Sequence, residues 1–132
     1  MAENEPKAKT ILPEIENNIA QVYYKKKQFD LAEAYWKKAI KNKPIFWQYY
    51  RSLGNLYFDT GRFKEAIDFY KQSLSINPNE YKVCYVTALA YIRLKDGPQA
   101  IQMLKETLRL RPDFEKARQV LIQLEEFMKS QK

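Results

Sequence analysis

Residues 47–80 read WQYYRSLGNLYFDTGRFKEAIDFYKQSLSINPNE, and this stretch decides the fold. Tyr50, Leu53, Gly54, Leu56 and Tyr57 fall at i, i+3, i+4, i+6 and i+7, one face of a helix. Phe63, Ala66, Ile67, Phe69, Tyr70 and Leu74 follow the same rule. The spacing predicts two amphipathic helices of about 12–15 residues each. Between them, in Asp59-Thr60-Gly61-Arg62, Gly61 can take the left-handed conformation that ends a helix. Asn77-Pro78-Asn79 ends the second helix, because proline has no N–H to continue the ladder and pushes its predecessor into extended geometry.

Working outward, the same beat recurs on both sides. Pro44, Pro78 and Pro112 are spaced 34 apart, as are Tyr23, Tyr57 and Tyr91, and Ala32, Ala66 and Ala100. Ile40, Leu74 and Leu108 keep the register, and Ala20, Gly54 and Ala88 put a small residue in it. Phe29 and Phe63 match, with Gly97 at the third position of that column. The chain therefore divides into blocks 13–46, 47–80 and 81–114. A tail, 115–132, begins a fourth block and stops halfway, and residues 1–12 stand outside the repeat as a flexible arm. In the third block Gly97-Pro98 puts proline in the first turn of the second helix, where a missing N–H costs nothing.

The middle block, with Tyr50, Leu53, Gly54, Tyr57, Ala66, Tyr70 and Pro78, resembles the tetratricopeptide repeat (TPR). The first block answers with Ile19, Ala20, Tyr23, Ala32, Trp36, Ala39 and Pro44, and the third with Ala88, Tyr91, Ala100, Leu104 and Pro112. The resemblance implies an all-α solenoid of three antiparallel helix hairpins in a right-handed superhelix. In the tail, Ala117, Val120, Leu121, Leu124 and Met128 form an apolar stripe, expected to make residues 115–132 a C-terminal capping helix. At the other end Glu16 stands where an interior repeat has an aromatic, which predicts an uncovered first helix.

The chemistry is sparse. There is no histidine among the 132 residues, which removes the usual acid–base and nucleophile-activating machinery and most zinc sites. The single cysteine, Cys84, falls on a core position and is expected to be a buried, inert thiol. The three glycines form no phosphate loop. Glu33 and Lys37 read as an ordinary solvated pair on a helix face. No enzyme activity, cofactor or metal is expected. The N-terminus carries no apolar signal segment and no run approaches a membrane span, which predicts a cytoplasmic protein.

Function is then sought on the surface that a TPR stack presents through the first helix of each hairpin. The resemblance implies a concave groove with polar anchors Asn17, Gln21, Arg51, Asn55 and Lys82, and apolar anchors Phe58, Tyr85, Leu89 and Ile92, with Tyr24 in the same row. Lys116, Gln119, Val120 and Gln123 of the tail continue it. Amides can bond an extended peptide through both donors and acceptors, and Tyr85, Val86, Leu89 and Ile92 read as an exposed apolar patch. The TPR subclass that grips the C-terminal carboxylate of heat-shock chaperones needs Lys, Asn and Arg at positions held here by Asn17, Gln21, Ser52, Lys82 and Val86, of which only Lys82 fits.

The formal charge is +7, distributed as +3, 0 and +3 over the three blocks and +1 over the tail. Two basic blocks flank a neutral one, which favours an acidic protein or peptide partner over nucleic acid. The densest run, Lys25-Lys26-Lys27 with Lys37, Lys38, Lys41 and Lys43, leaves weak nucleic-acid binding as a third reading. The second is a self-assembling structural module. The first is a non-catalytic protein-interaction scaffold that holds a partner segment in the groove.

Overall fold

The structure, a computed structural model, describes residues 11–131. Among them are seven helices, α1 (Pro13–Lys25), α2 (Phe29–Asn42), α3 (Trp47–Asp59), α4 (Phe63–Ile76), α5 (Tyr81–Arg93), α6 (Gly97–Leu110) and α7 (Glu115–Ser130), and no strand. Most of the expected arm, residues 1–10, lies outside the described residues. Each helix packs chiefly on its neighbours in sequence: α1 on α2, α3 on α4, α5 on α6, with α2–α3, α4–α5 and α6–α7 joining the hairpins. That one-dimensional contact order is the signature of a solenoid.

The turn inside each hairpin has one solution, used at 34-residue intervals. Lys27, Gly61 and Lys95 all adopt positive φ, at 62°, 81° and 62°. After each of them the chain closes the same pair of bonds onto the finished helix. Lys27 N–H donates to Tyr24 O and Gln28 N–H to Tyr23 O, and the pattern repeats with Gly61 and Arg62, and with Lys95 and Asp96. This is the Schellman arrangement, which satisfies carbonyls at the helix end. Glycine was legible as the residue for this task; two lysines perform it at a steric cost. Asp96 caps α6 by accepting from Gln99 N–H at 3.2 Å, with Pro98 in the first turn.

The repeat columns become the core. Ala20, Ala32, Ala66, Ala88 and Ala100 are fully buried, and Trp36, Tyr70 and Leu104 fill the space between the helices they bring together. Gly54 shows why the column is small: a Cβ there would lie 2.5 Å from the Tyr70 ring. α7 departs from the pattern of α1, α3 and α5. It runs 16 residues rather than 13, and it places Ile122 and Glu125 where the hairpins have Ala or Gly and Tyr.

Two polar readings need correction. Glu16 is buried, not the mark of an uncovered helix: it accepts from Asn42 Nδ2 at 2.9 Å, so α2 supplies the partner that burial demands. Glu33 is not an ordinary solvated residue either. Its carboxylate accepts from the Tyr57 hydroxyl at 2.5 Å, from Lys37 at 2.9 Å and from Arg62 at 3.5 Å, tying α2 to α3 and the following turn. Burial opposes its ionisation, but those three donors hold its carboxyl below the ordinary carboxylate range.

Candidate functional site

The alternate helices α1, α3, α5 and α7 share one face, and along it the repeat sets up three comparable steps. At the first, Tyr24 near the end of α1 packs edge-on against Phe29 and Trp36, at 5.7 and 5.6 Å, and its hydroxyl donates to Asp59. Burial and the Asp59 carboxylate both raise the Tyr24 pKa, which keeps the hydroxyl protonated as a donor. At the second, Phe58 packs edge-on against Phe63 at 5.1 Å, and the Arg93 guanidinium lies over both rings, at 5.9 and 5.0 Å. At the third, the register brings Ile92 to the place of Tyr24 and Phe58, Gly97 to the place of Phe29 and Phe63, and Phe127 to the place of Asp59 and Arg93.

Two clefts lie on this face. The first, about 300 Å³, is lined by Gln21, Tyr24, Lys25, Trp36, Ser52 and Asn55. The second, about 740 Å³, is lined by Ile92, Lys95, Gly97, Pro98 and, from α7 and just beyond it, Val120, Gln123, Leu124, Phe127, Met128 and Gln131. They overlap in register: Tyr24, Ser52 and Asn55 of the first correspond to Ile92, Val120 and Gln123 of the second, two repeats on, while Lys95, Gly97 and Pro98 of the second correspond to Lys27, Phe29 and Asp30, outside the first. Both fall in the size range of ligand sites.

The structure thus brings Gln21, Tyr24 and Asn55 together in one cleft and puts Ile92 in the other. Asn17 sits behind the first cleft, where its side-chain oxygen accepts from Trp36 Nε1–H at 2.8 Å. An indole N–H can only donate, so Asn17 must turn its oxygen inward, which leaves its NH2 for another acceptor. Asn55 accepts from the Tyr70 hydroxyl at 2.6 Å. Arg51 stacks over Trp47 at 5.4 Å and Lys82 is exposed; neither lines a cleft. Phe58 belongs to the second step, between the clefts.

The expected exposed patch on α5 is instead half-buried. Tyr85 packs edge-on against Phe114 at 5.0 Å, Val86 packs against the core around Leu53 and Tyr57, and Leu89 is partly covered. Phe114 of the next turn covers Tyr81 and Tyr85, while Val86 and Ile92 pack on the core clusters of the stack. The largest exposed apolar groups on α7 are Phe127, 60% exposed, and Ile122, 48% exposed. Cys84 is buried, and burial pushes its thiol up to about 11, away from nucleophilic use. In the first block Lys37 is paired with Glu33, Lys43 reaches Glu14 at 3.4 Å, and Lys38 lies over the Tyr35 ring. No helix among the described residues is long and apolar enough to cross a membrane.

The chain matches the tetratricopeptide repeat family twice, over residues 17–81 and over residues 57–124. It is 38% identical over 64 residues to anaphase-promoting complex subunit 6 of Dictyostelium discoideum, a match spanning 48% of this chain and 7% of that protein. It is 32% identical over 71 residues to the uncharacterized protein ycf37 of Pyropia yezoensis, across 54% of this chain and 40% of the relative. Both matches thus cover well under two thirds of the relatives' length. Among solved structures, the first TPR of Spaghetti (RPAP3) bound to the HSP90 peptide SRMEEVD superposes with a TM-score of 0.82 at 17% identity, covering 88% of this chain and 92% of that one. MamA gives 0.83 at 21% identity, over 88% and 68%. The N-terminal domain of stress-induced protein-1 from C. elegans gives 0.80 at 22%, over 86% and 94%. At such identities the superpositions establish the fold.

Proposed function

The chain belongs to the tetratricopeptide-repeat family, and from that premise we propose that it is a non-catalytic protein-interaction scaffold that holds a segment of a partner protein along the face of α1, α3, α5 and α7. The observation that carries this reading is the first cleft. Gln21, Lys25, Ser52 and Asn55 converge there from two helices of successive repeats, and the inward-bonded Asn17 stands beside it. Fixed polar groups on rigid helices, with donors in excess, suit the carbonyls and carboxylates of an extended or helical segment. Lys25, the charged residue in the wall of the first cleft, favours an acidic one. That a TPR neighbour of the same fold is bound to an HSP90 peptide supports peptide binding by this chain. Chaperone tails are not the proposed ligand, because only Lys82 of the carboxylate-gripping set is present.

The test is an array of acidic 15-residue peptides, with hits measured by fluorescence anisotropy on wild type and on Gln21→Ala/Lys82→Glu. Both substituted residues are exposed, so folding is unaffected. The reading expects a loss of about tenfold or more. Undiminished affinity would put the binding elsewhere.

A further inference from the structure

The second cleft is where the repeat leaves out one of its own side chains. In the first two hairpins a phenyl ring at the start of the second helix, Phe29 or Phe63, closes the corner against the aromatic at the end of the first. In the third hairpin that residue is Gly97 and its partner is Ile92. The missing ring is partly replaced by Met128 of α7, whose Sδ would lie 2.5 Å from a Cβ built on Gly97. The cleft of about 740 Å³ opens beside this contact, with Gly97 and Met128 both in its wall. Methionine is the most adaptable apolar filler, so this wall can yield to an incoming group.

We propose that this corner receives one bulky apolar side chain, a phenylalanine or leucine, from a partner segment that carries carboxylates on either side of it. The shape is dictated by the two hairpins that already hold a ring in the equivalent place. The charge is dictated by Lys95, the charged residue among the walls, with Arg93, two residues before it, adding positive charge at the neighbouring step, where it lies over Phe58 and Phe63. An apolar anchor in a desolvated pocket with polar contacts at its rim is the usual form of an interaction hot spot. The inference rests on the scaffold reading above and says where along the face the partner is anchored.

The experiment uses methyl-labelled methionine NMR, with the Met128 methyl as the reporter of the cleft. The probe is a short synthetic peptide with one phenylalanine flanked by glutamates, alongside its alanine counterpart. The phenylalanine peptide is expected to shift the Met128 methyl through ring current and to bind about tenfold more tightly than the alanine peptide. Refilling the corner by Gly97→Phe with Met128→Ala is expected to weaken binding by a similar factor. Should that variant not fold, the two peptides on wild type still decide the matter.

An unmoved Met128 methyl, or equal affinity for the two peptides, overturns the proposal. If array peptides still need Gln21 and Lys82, the scaffold reading survives that failure; if they do not, it falls separately. A Met128 shift that follows protein concentration without peptide would make the occupant a second copy of this chain and overturn the proposal as well.

Discussion

The two clefts share part of their repeat register and are built with different side chains. The first is closed by groups that also hold the stack together. Trp36 is 2% exposed and bonded to Asn17, Tyr24 is bonded to Asp59, and Asn55 to the buried Tyr70. The second is walled by Ile92, Val120, Leu124, Phe127 and Met128, and Phe127 is mostly exposed. Partly shared register thus gives one cleft whose walls are structural and one whose walls are free to adapt. On the proposed reading, a partner would gain orientation from the first and contact area from the second.

That contrast can be broken by substitution. Trp36→Ala should cost about 3–5 kcal/mol, as for other buried large aromatics, while Phe127→Ala should cost less than about 1 kcal/mol; urea unfolding measures both. Comparable losses at the two sites would erase the distinction.

Added atoms sharpen it. A Cβ on Gly54 meets the Tyr70 ring, buried and anchored through its hydroxyl, whereas one on Gly97 meets the flexible end of Met128. Gly54→Ala should destabilise by about 1–2 kcal/mol after allowing for its helix-propensity gain, and Gly97→Ala should be neutral within about 0.5 kcal/mol.

Smaller still is the effect at the turns. Lys27→Gly and Lys95→Gly relieve left-handed strain and should gain up to about 1 kcal/mol, offset by the freedom glycine adds to the unfolded chain; Gly61→Ala should lose about that much. Lys95→Gly also removes the charge beside the second cleft, so its thermal stability should rise while its affinity for acidic peptides falls.

The subtlest difference is with pH. Glu33 has a lowered folded pKa, so its contribution is complete above the unfolded carboxylate value, about 4.3, and is lost as pH falls through the folded value. Glu33→Gln should flatten the acid limb of stability against pH. The corresponding residue in the next hairpin is Ile67, packed with Tyr91, so Ile67→Val should lower stability without changing that limb.

Most of the fold could be read directly from the period. The prolines, the small-residue columns and the tyrosines recur because each hairpin solves the same packing problem, and a repeated solution leaves a repeated sequence. What escaped was whatever breaks the column for local reasons. Glu16 and Glu33 look solvated until Asn42 and Tyr57 are placed beside them, and those partners are 26 and 24 residues away. The lysines at positive φ carry no local signal.

The placement of the candidate residues was half legible. Gln21, Tyr24 and Asn55 converge as their register implies, because the first three helices keep the repeat geometry. The apolar stretch on α5 did not stay open, since nothing in the spacing shows that Phe114 folds back over Tyr85. Gly97 stood out as the break in the Phe29 and Phe63 column. What it leaves open depends on how Met128 and Phe127 of α7 come to rest, which no pattern within the third block encodes.

The central claim is that partners dock on the face of α1, α3, α5 and α7. Backbone amide shifts on titration with an array-selected acidic peptide test it most directly. The account predicts perturbations concentrated on those four helices, from Gln21 through Asn55 to Ile92 and Gln123. Perturbations confined to α2, α4 and α6 would contradict it.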